Sequence, residues 1–127
     1  MYEVTIIKSF SAAHTLKDIG GKCEELHGHN FKIEVTVAAS NLNTLGILID
    51  FRDIKKFLQE ILDCLDHKHL NELPFFTGMI PSSENLANYI FQEMKSKIMH
   101  TRVKVARVKV WESENANATY IPDQNLG

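Results

Sequence analysis

Two strand-like segments, two amphipathic helices and two more strand-like segments follow one another along the chain. That order predicts an α+β domain (ββααββ): one antiparallel sheet with both helices on one face. Three observations carry the prediction. Apolar residues alternate with period two at both ends of the chain. They recur at helical spacing in the middle. Finally, 127 residues make one domain, and no repeat, low-complexity tract or linker divides residues 1–127.

The elements follow in order. In residues 3–13, Val4, Ile6, Phe10 and Ala12 share one parity, Lys8 is the exception, and His14 ends the row. This is a half-buried strand. Residues 16–26 carry Gly20-Gly21 and several charges, and read as a loop. In residues 27–39, Phe31, Ile33, Val35 and Val37 take one face and Lys32, Glu34 and Thr36 the other, with His27 and His29 in the apolar row. Residues 41–46 form a turn-rich connection. Asp50 is positioned as an N-cap. After it, Phe51, Ile54, Phe57, Leu58, Ile61, Leu62 and Leu65 mark a helix of about four turns. Residues 66–80 read as irregular.

Pro81-Ser82-Ser83-Glu84 reads as a second helix start, and Leu86, Ala87, Ile90, Phe91, Met94 and Ile98 supply its apolar stripe. Val103–Trp111 is rich in β-branched residues. Its parity switches between Val105 and Val108, which predicts a bulge or burial on both faces. Residues 116–121 read as a last short strand. Four strands leave two open edges, which invite pairing with another copy of the chain.

Composition narrows the function. Lys and Arg total 14 against 16 Asp and Glu, a net charge of −2, which excludes the basic footprint of a nucleic-acid binder. Apolar runs fall far short of the ~20 residues that span a bilayer. The amino terminus lacks the basic and apolar regions of a secretory signal. Cys23 and Cys64 make no disulfide framework. The expectation is a cytoplasmic protein without nucleic-acid or membrane partners. Six histidines, at 14, 27, 29, 67, 69 and 100, are the unusual feature.

His27-Gly28-His29 is the strongest local signal. Residues two apart on a strand point the same way, so both imidazoles can reach one ion. Two structural core histidines are the bland alternative, but unpartnered imidazoles in an apolar row are costly to bury. If the first two strands pair, His14 joins them. Three histidines with no fourth protein ligand describe a catalytic zinc site with an open position, and nitrogen donors favour zinc over calcium or magnesium.

Other residues stay open at this level. Cys23 is a fourth ligand, a thiolate nucleophile or base activated by a nearby cation, or an ordinary thiol. Cys64 reads as a packing residue. Asp66-His67 suits a proton-transfer dyad, or else a helix C-terminus favourable to a cationic imidazole. His69 and His100 fit that second reading. Glu112 ends a strand, either solvated or gripping a guanidine-like edge through two hydrogen bonds. Glu84 is equally consistent with helix capping.

Six segments then converge: Phe10-Ser11-Ala12-Ala13-His14, Lys22 to Asn30, Gly46 to Phe51, Leu65 to Asn71, Pro81 to Asn85 and Trp111-Glu112-Ser113. Over nearly its whole length the chain resembles the 6-pyruvoyl-tetrahydropterin synthase family, including the bacterial 6-carboxy-tetrahydropterin synthases of the queuosine (7-deazaguanine) pathway. The resemblance implies the tunnelling fold, with a four-stranded sheet and two helices assembled into trimers and hexamers (dimers of trimers) whose active sites lie between subunits. It implies that His14, His27 and His29 bind Zn2+, that Cys23 is the catalytic thiolate, and that Asp66 and His67 relay protons. It also implies that Glu112 anchors a pterin, and that Ser82, Ser83 and Glu84 contribute to substrate binding. Three residues between Cys23 and His27-Gly28-His29, and Leu65-Asp66-His67 followed by Leu70-Asn71, resemble the carboxy-forming branch. Two positions depart from the family pattern: Ser82 stands where Thr is usual, and Glu24 beside Cys23 resembles a branch that cleaves dihydroneopterin.

Overall fold

Alternation of apolar and polar residues builds the two longest strands. The structure, a computed structural model, describes residues 1–17, 21 and 25–123. β1 (Tyr2–His14) and β2 (His27–Ala39) pair antiparallel along their full lengths. Their register sets Phe10 opposite Phe31, Ala12 opposite His29 and His14 opposite His27. α1 (Phe51–Asp63) and α2 (Ser83–Ile98) follow, separated by β3 (Lys68–His69) and two single 3-10 turns. β4 (Lys104–Ser113) and β5 (Ala116–Tyr120) complete a sheet of order β3-β1-β2-β4-β5.

The sheet thus has five strands where sequence patterning gives four. The additional strand, β3, lies parallel to β1, with Ala12 beside Lys68 and Ala13 beside His69. Two residues are too few for a period to register. A local clamp creates the strand instead. The Ser11 N–H donates to Asp66 Oδ1 at 2.9 Å, and the His67 N–H donates to the Ser11 carbonyl at 2.6 Å. His67 adopts a left-handed backbone, φ 57°, which turns the chain from α1 straight onto the edge of β1.

The parity switch in β4 is a bulge. Val105 faces Val37 and Arg107 faces Thr36, so Ala106 is unmatched. One continuous core joins the even-numbered row of β1, the odd-numbered row of β2 and Val108 and Val110 of β4 to both helices. α1 contributes Ile54, Leu58, Ile61 and Leu62, and α2 contributes Leu86, Ala87, Ile90, Phe91 and Met94. The opposite sheet face is polar. Thr5 and Thr36 share a hydrogen bond, Arg107 pairs with Glu3, and the Trp111 indole N–H donates to Glu34 with Lys32 Nζ 4.5 Å from the ring centroid.

Both helix starts follow their sequence signals. Asp50 accepts the Arg52 N–H at 2.9 Å, and the Arg52 guanidinium beside it holds its carboxyl at about 2. Ser82 Oγ accepts the Asn85 N–H at 3.1 Å. Cys64 corrects its expectation: α1 ends at Asp63, so Cys64 becomes the C-cap and lies exposed, while Leu65 is buried. Among the described residues no helix is long and apolar enough to cross a membrane. Leu58 is fully buried between helix and sheet, so Leu58→Ala should cost about 3 kcal/mol. A lowered urea midpoint in equilibrium denaturation checks this.

Candidate metal centre

Three neighbouring strands deliver the site from one face. The buried rows Phe10-Ala12-His14 of β1 and Phe31-His29-His27 of β2 run side by side, and Glu112 continues the Val108-Val110 row of β4. Glu112 also lacks a partner on β5, because the register shifts between Trp111 and Ser113. Each apolar row therefore ends in a donor at the same end of the sheet. One donor atom from each of His14, His27, His29 and Glu112 lies within 4.8 Å of all the others. The three ring centroids are 4.5, 4.8 and 5.3 Å apart. Phe31 forms the floor, edge-to-face with His14 and His29.

Hydrogen bonds fix two of the rings. His14 Nδ1 lies 2.7 Å from the Pro81 carbonyl, and His27 Nδ1 lies 2.8 Å from the Glu25 carbonyl. A carbonyl only accepts, so each Nδ1 carries the proton and each Nε2 keeps a free lone pair. Orienting bonds of this kind accompany metal-ligating histidines. His14 is 0% exposed, and its Nε2 has no hydrogen-bond partner. Glu112 Oε1 is only 3.2 Å from that nitrogen and 3.5 Å from His29 Nε2. For a neutral His14 with its proton on Nδ1, the Glu112 approach sets acceptor against acceptor, which is repulsive unless a cation lies between. A proton is disfavoured there. Burial pushes His14 below its ordinary value, opposed by the Pro81 carbonyl, and burial likewise lowers His29 against the pull of Glu112. Tetrahedral bonds of about 2.1 Å separate ligand atoms by roughly 3.4 Å, so the Glu112 distances suit a metal ion.

The other described candidates lie outside this cluster. Asp66 Oδ2 lies 3.0 Å from His67 Nδ1, and the Ser11 N–H, then His67, hold the Asp66 carboxyl below the usual carboxylate range. The His67 ring is 82% exposed. It shares a cavity of about 520 Å³ with His29, lined also by Ser11, Gly28, Asn30 and Lys68. The dyad is therefore apart from the four-donor cluster: of the four donors only His29 borders this cavity, and Ser11, Gly28 and Asn30 belong to the opposite face of the sheet. Ser82 caps α2, Ser83 is its first residue, and Glu84 is exposed in its first turn. All three directly follow Pro81, whose carbonyl holds His14. Cys23 and Glu24 lie outside the described residues. His69, expected at a helix end, lies on β3 with Nδ1 3.2 Å from Glu72.

The family profile described as 6-pyruvoyl tetrahydropterin synthase matches residues 3–123. The chain belongs to this family. It is 38% identical over 112 residues to an Archaeoglobus fulgidus protein provisionally named 6-carboxy-5,6,7,8-tetrahydropterin synthase, covering 88% of this chain and 89% of that one. It is 34% identical over 126 residues to human 6-pyruvoyl tetrahydrobiopterin synthase, covering 88% and 86%. Its fold superposes on Caenorhabditis elegans 6-pyruvoyl tetrahydropterin synthase with a TM-score of 0.83 at 30% identity, covering 97% and 98%. Members of the 6-pyruvoyl tetrahydropterin synthase family are lyases that act on pterins and use a metal.

Two features of the site escape sequence reasoning. The carbonyls of Pro81 and Glu25 carry no side-chain signal at all. The approach of Glu112 to His14 was foreshadowed only by its shared parity with Val108 and Val110. Metal-free protein should take up one transition-metal ion per chain, and His14→Ala, His27→Ala and His29→Ala should each weaken it. Because burial depresses His14 and His29, affinity should hold as pH falls through the ordinary imidazole range and drop only below it. Cobalt(II) titration, followed by its visible absorption, measures both.

Proposed function

We propose that this protein is a zinc-dependent 6-carboxy-5,6,7,8-tetrahydropterin synthase. It would convert 7,8-dihydroneopterin triphosphate and water to 6-carboxytetrahydropterin, acetaldehyde and triphosphate, for queuosine (7-deazaguanine) biosynthesis. The observation that carries the reading is the convergence of His14, His27, His29 and Glu112 at one end of the sheet. Family membership supplies the pterin, and the spacing of Cys23 from His27 favours the carboxy-forming branch.

The proposed roles follow from the donors. His14, His27 and His29 hold the zinc. When bound, zinc acts as a Lewis acid that lowers the pKa of a coordinated hydroxyl. Cys23 takes a side-chain proton as base. Asp66 accepts from His67 Nδ1–H, which leaves Nε2 of that ring to exchange protons. Glu112 grips the NH–C–NH2 edge of the pterin through two charge-assisted hydrogen bonds. Ser82, Ser83 and Glu84, beside His14 at the start of α2, contribute to substrate binding. The exposure of His67 supports a homohexamer in which the Asp66–His67 dyad of one copy completes the site of another.

The 3.2 Å approach of Glu112 to His14 favours a second reading, in which Glu112 is a zinc ligand. Glu112→Gln separates the two: a pterin anchor raises KM with zinc affinity intact, whereas a ligand loses zinc. The rival activities are a pyruvoyl-forming synthase and a dihydroneopterin side-chain cleavage using Glu24. A non-catalytic structural zinc module is the alternative outside catalysis. Incubation of zinc-loaded protein with dihydroneopterin triphosphate, with products identified by mass, should yield 6-carboxytetrahydropterin and acetaldehyde. Cys23→Ala should lower kcat by about a hundredfold or more. Full turnover in that variant would refute the thiolate role.

A further inference from the structure

The carbonyl that orients His14 is itself held in place. Pro81 lies between Ile80 and the N-cap Ser82, and its carbonyl oxygen is 2.7 Å from His14 Nδ1. Asn85, three residues into the turn, brackets this peptide from both sides. Its side-chain Nδ2 donates to the Ile80 carbonyl at 2.7 Å, and its backbone N–H donates to Ser82 Oγ at 3.1 Å. The proline ring fixes φ at position 81. With the Ile80 carbonyl and the Ser82 hydroxyl both tied to Asn85, the residues on either side of Pro81 are held, and the Pro81 carbonyl between them points at His14.

The backbone after His14 is anchored separately. The Thr15 N–H donates to Asn71 Oδ1 at 2.8 Å, and Asn71 Nδ2 donates to the Thr15 carbonyl at 3.0 Å. The main chain beside His14 is therefore secured by Asn71, while the choice of ring nitrogen that carries the proton depends on Pro81. A His14 ring with its proton on Nε2 would aim a hydrogen at Glu112 and offer no lone pair to the cluster.

We propose that Asn85 is a positioning residue for the metal centre: by holding the Ile80 carbonyl, its side-chain amide fixes the Pro81 carbonyl that sets the tautomer and orientation of His14. The inference rests on reading His14 as a metal ligand, and it adds a function for a side chain outside the four-donor cluster.

Asn85→Asp is the informative change. It preserves side-chain size and suits a helix first turn, but a carboxylate cannot donate to the Ile80 carbonyl. Its added negative charge would by itself attract a cation, so a loss of affinity cannot come from charge. Two readouts are taken on folded protein at pH 8. Long-range 1H–15N spectra of the metal-free protein report the His14 tautomer, and competition with a chromophoric chelator reports zinc affinity. The wild type should show His14 protonated at Nδ1. Asn85→Asp should mix the tautomers and weaken zinc by about tenfold, the lower end of what orienting partners contribute. Asn88→Asp, on the same helix with its side chain bonded to Gln92, should change neither readout. Asn85→Ala supplies the same comparison without charge if the aspartate variant does not fold. An unchanged tautomer and unchanged zinc affinity in a folded Asn85 variant would overturn the proposal. If His14→Gln leaves zinc affinity intact, the ligand reading fails instead, and the tautomer spectra still judge the role of Asn85.

Discussion

Lone pairs that face one another without a proton between them are the constraint around which this molecule is organised. His14 is sealed from solvent with Nδ1 committed to Pro81, so its second nitrogen has nothing to bond except what the cluster provides. Glu112 Oε1 closes in on the same point, with His29 Nε2 3.5 Å from that oxygen. Such an arrangement is stable only around positive charge. The fold holds it together through the sheet, since each donor ends a row whose other members are locked into the hydrophobic core.

That dependence explains why both hairpins and the second helix are needed. The β1–β2 register puts His14 opposite His27, and a slip of one residue would turn one row of donors to the other face of the sheet. The β2–β4 pairing brings Glu112 alongside. The segment leading into α2 supplies the carbonyl that orients His14. The clamp of Asp66 and His67 on Ser11 ties the end of α1 to the same strand three residues before His14. The candidate metal site, the turn after α1 and the edge of the sheet share one short stretch of β1.

Much of this was legible in the chain because period-two patterning is local. The three histidines were readable as extensions of apolar rows, and the caps at Asp50 and Ser82 were readable from residue type. The parity switch correctly marked the bulge at Ala106. What was not legible depends on contacts between distant segments. β3 is too short to have a period, and arises from a clamp 55 residues apart in sequence. The position of Glu112 over His14 depends on how the bulged β4 docks on β2. Cys64 was misplaced because the helical stripe does not say where α1 stops. Cys23 was identified by spacing and family likeness alone, and lies outside the described residues.

The outer face of the sheet has a practical corollary. The chain contains a single tryptophan, and Trp111 is joined by one peptide bond to Glu112. Its indole N–H is engaged by Glu34 and its ring lies beneath Lys32, so its surroundings are polar, ordered and sensitive to small shifts of β4. All indole emission from the protein therefore originates next door to the four-donor cluster. The molecule carries its own optical gauge of that end of the sheet, with no label required.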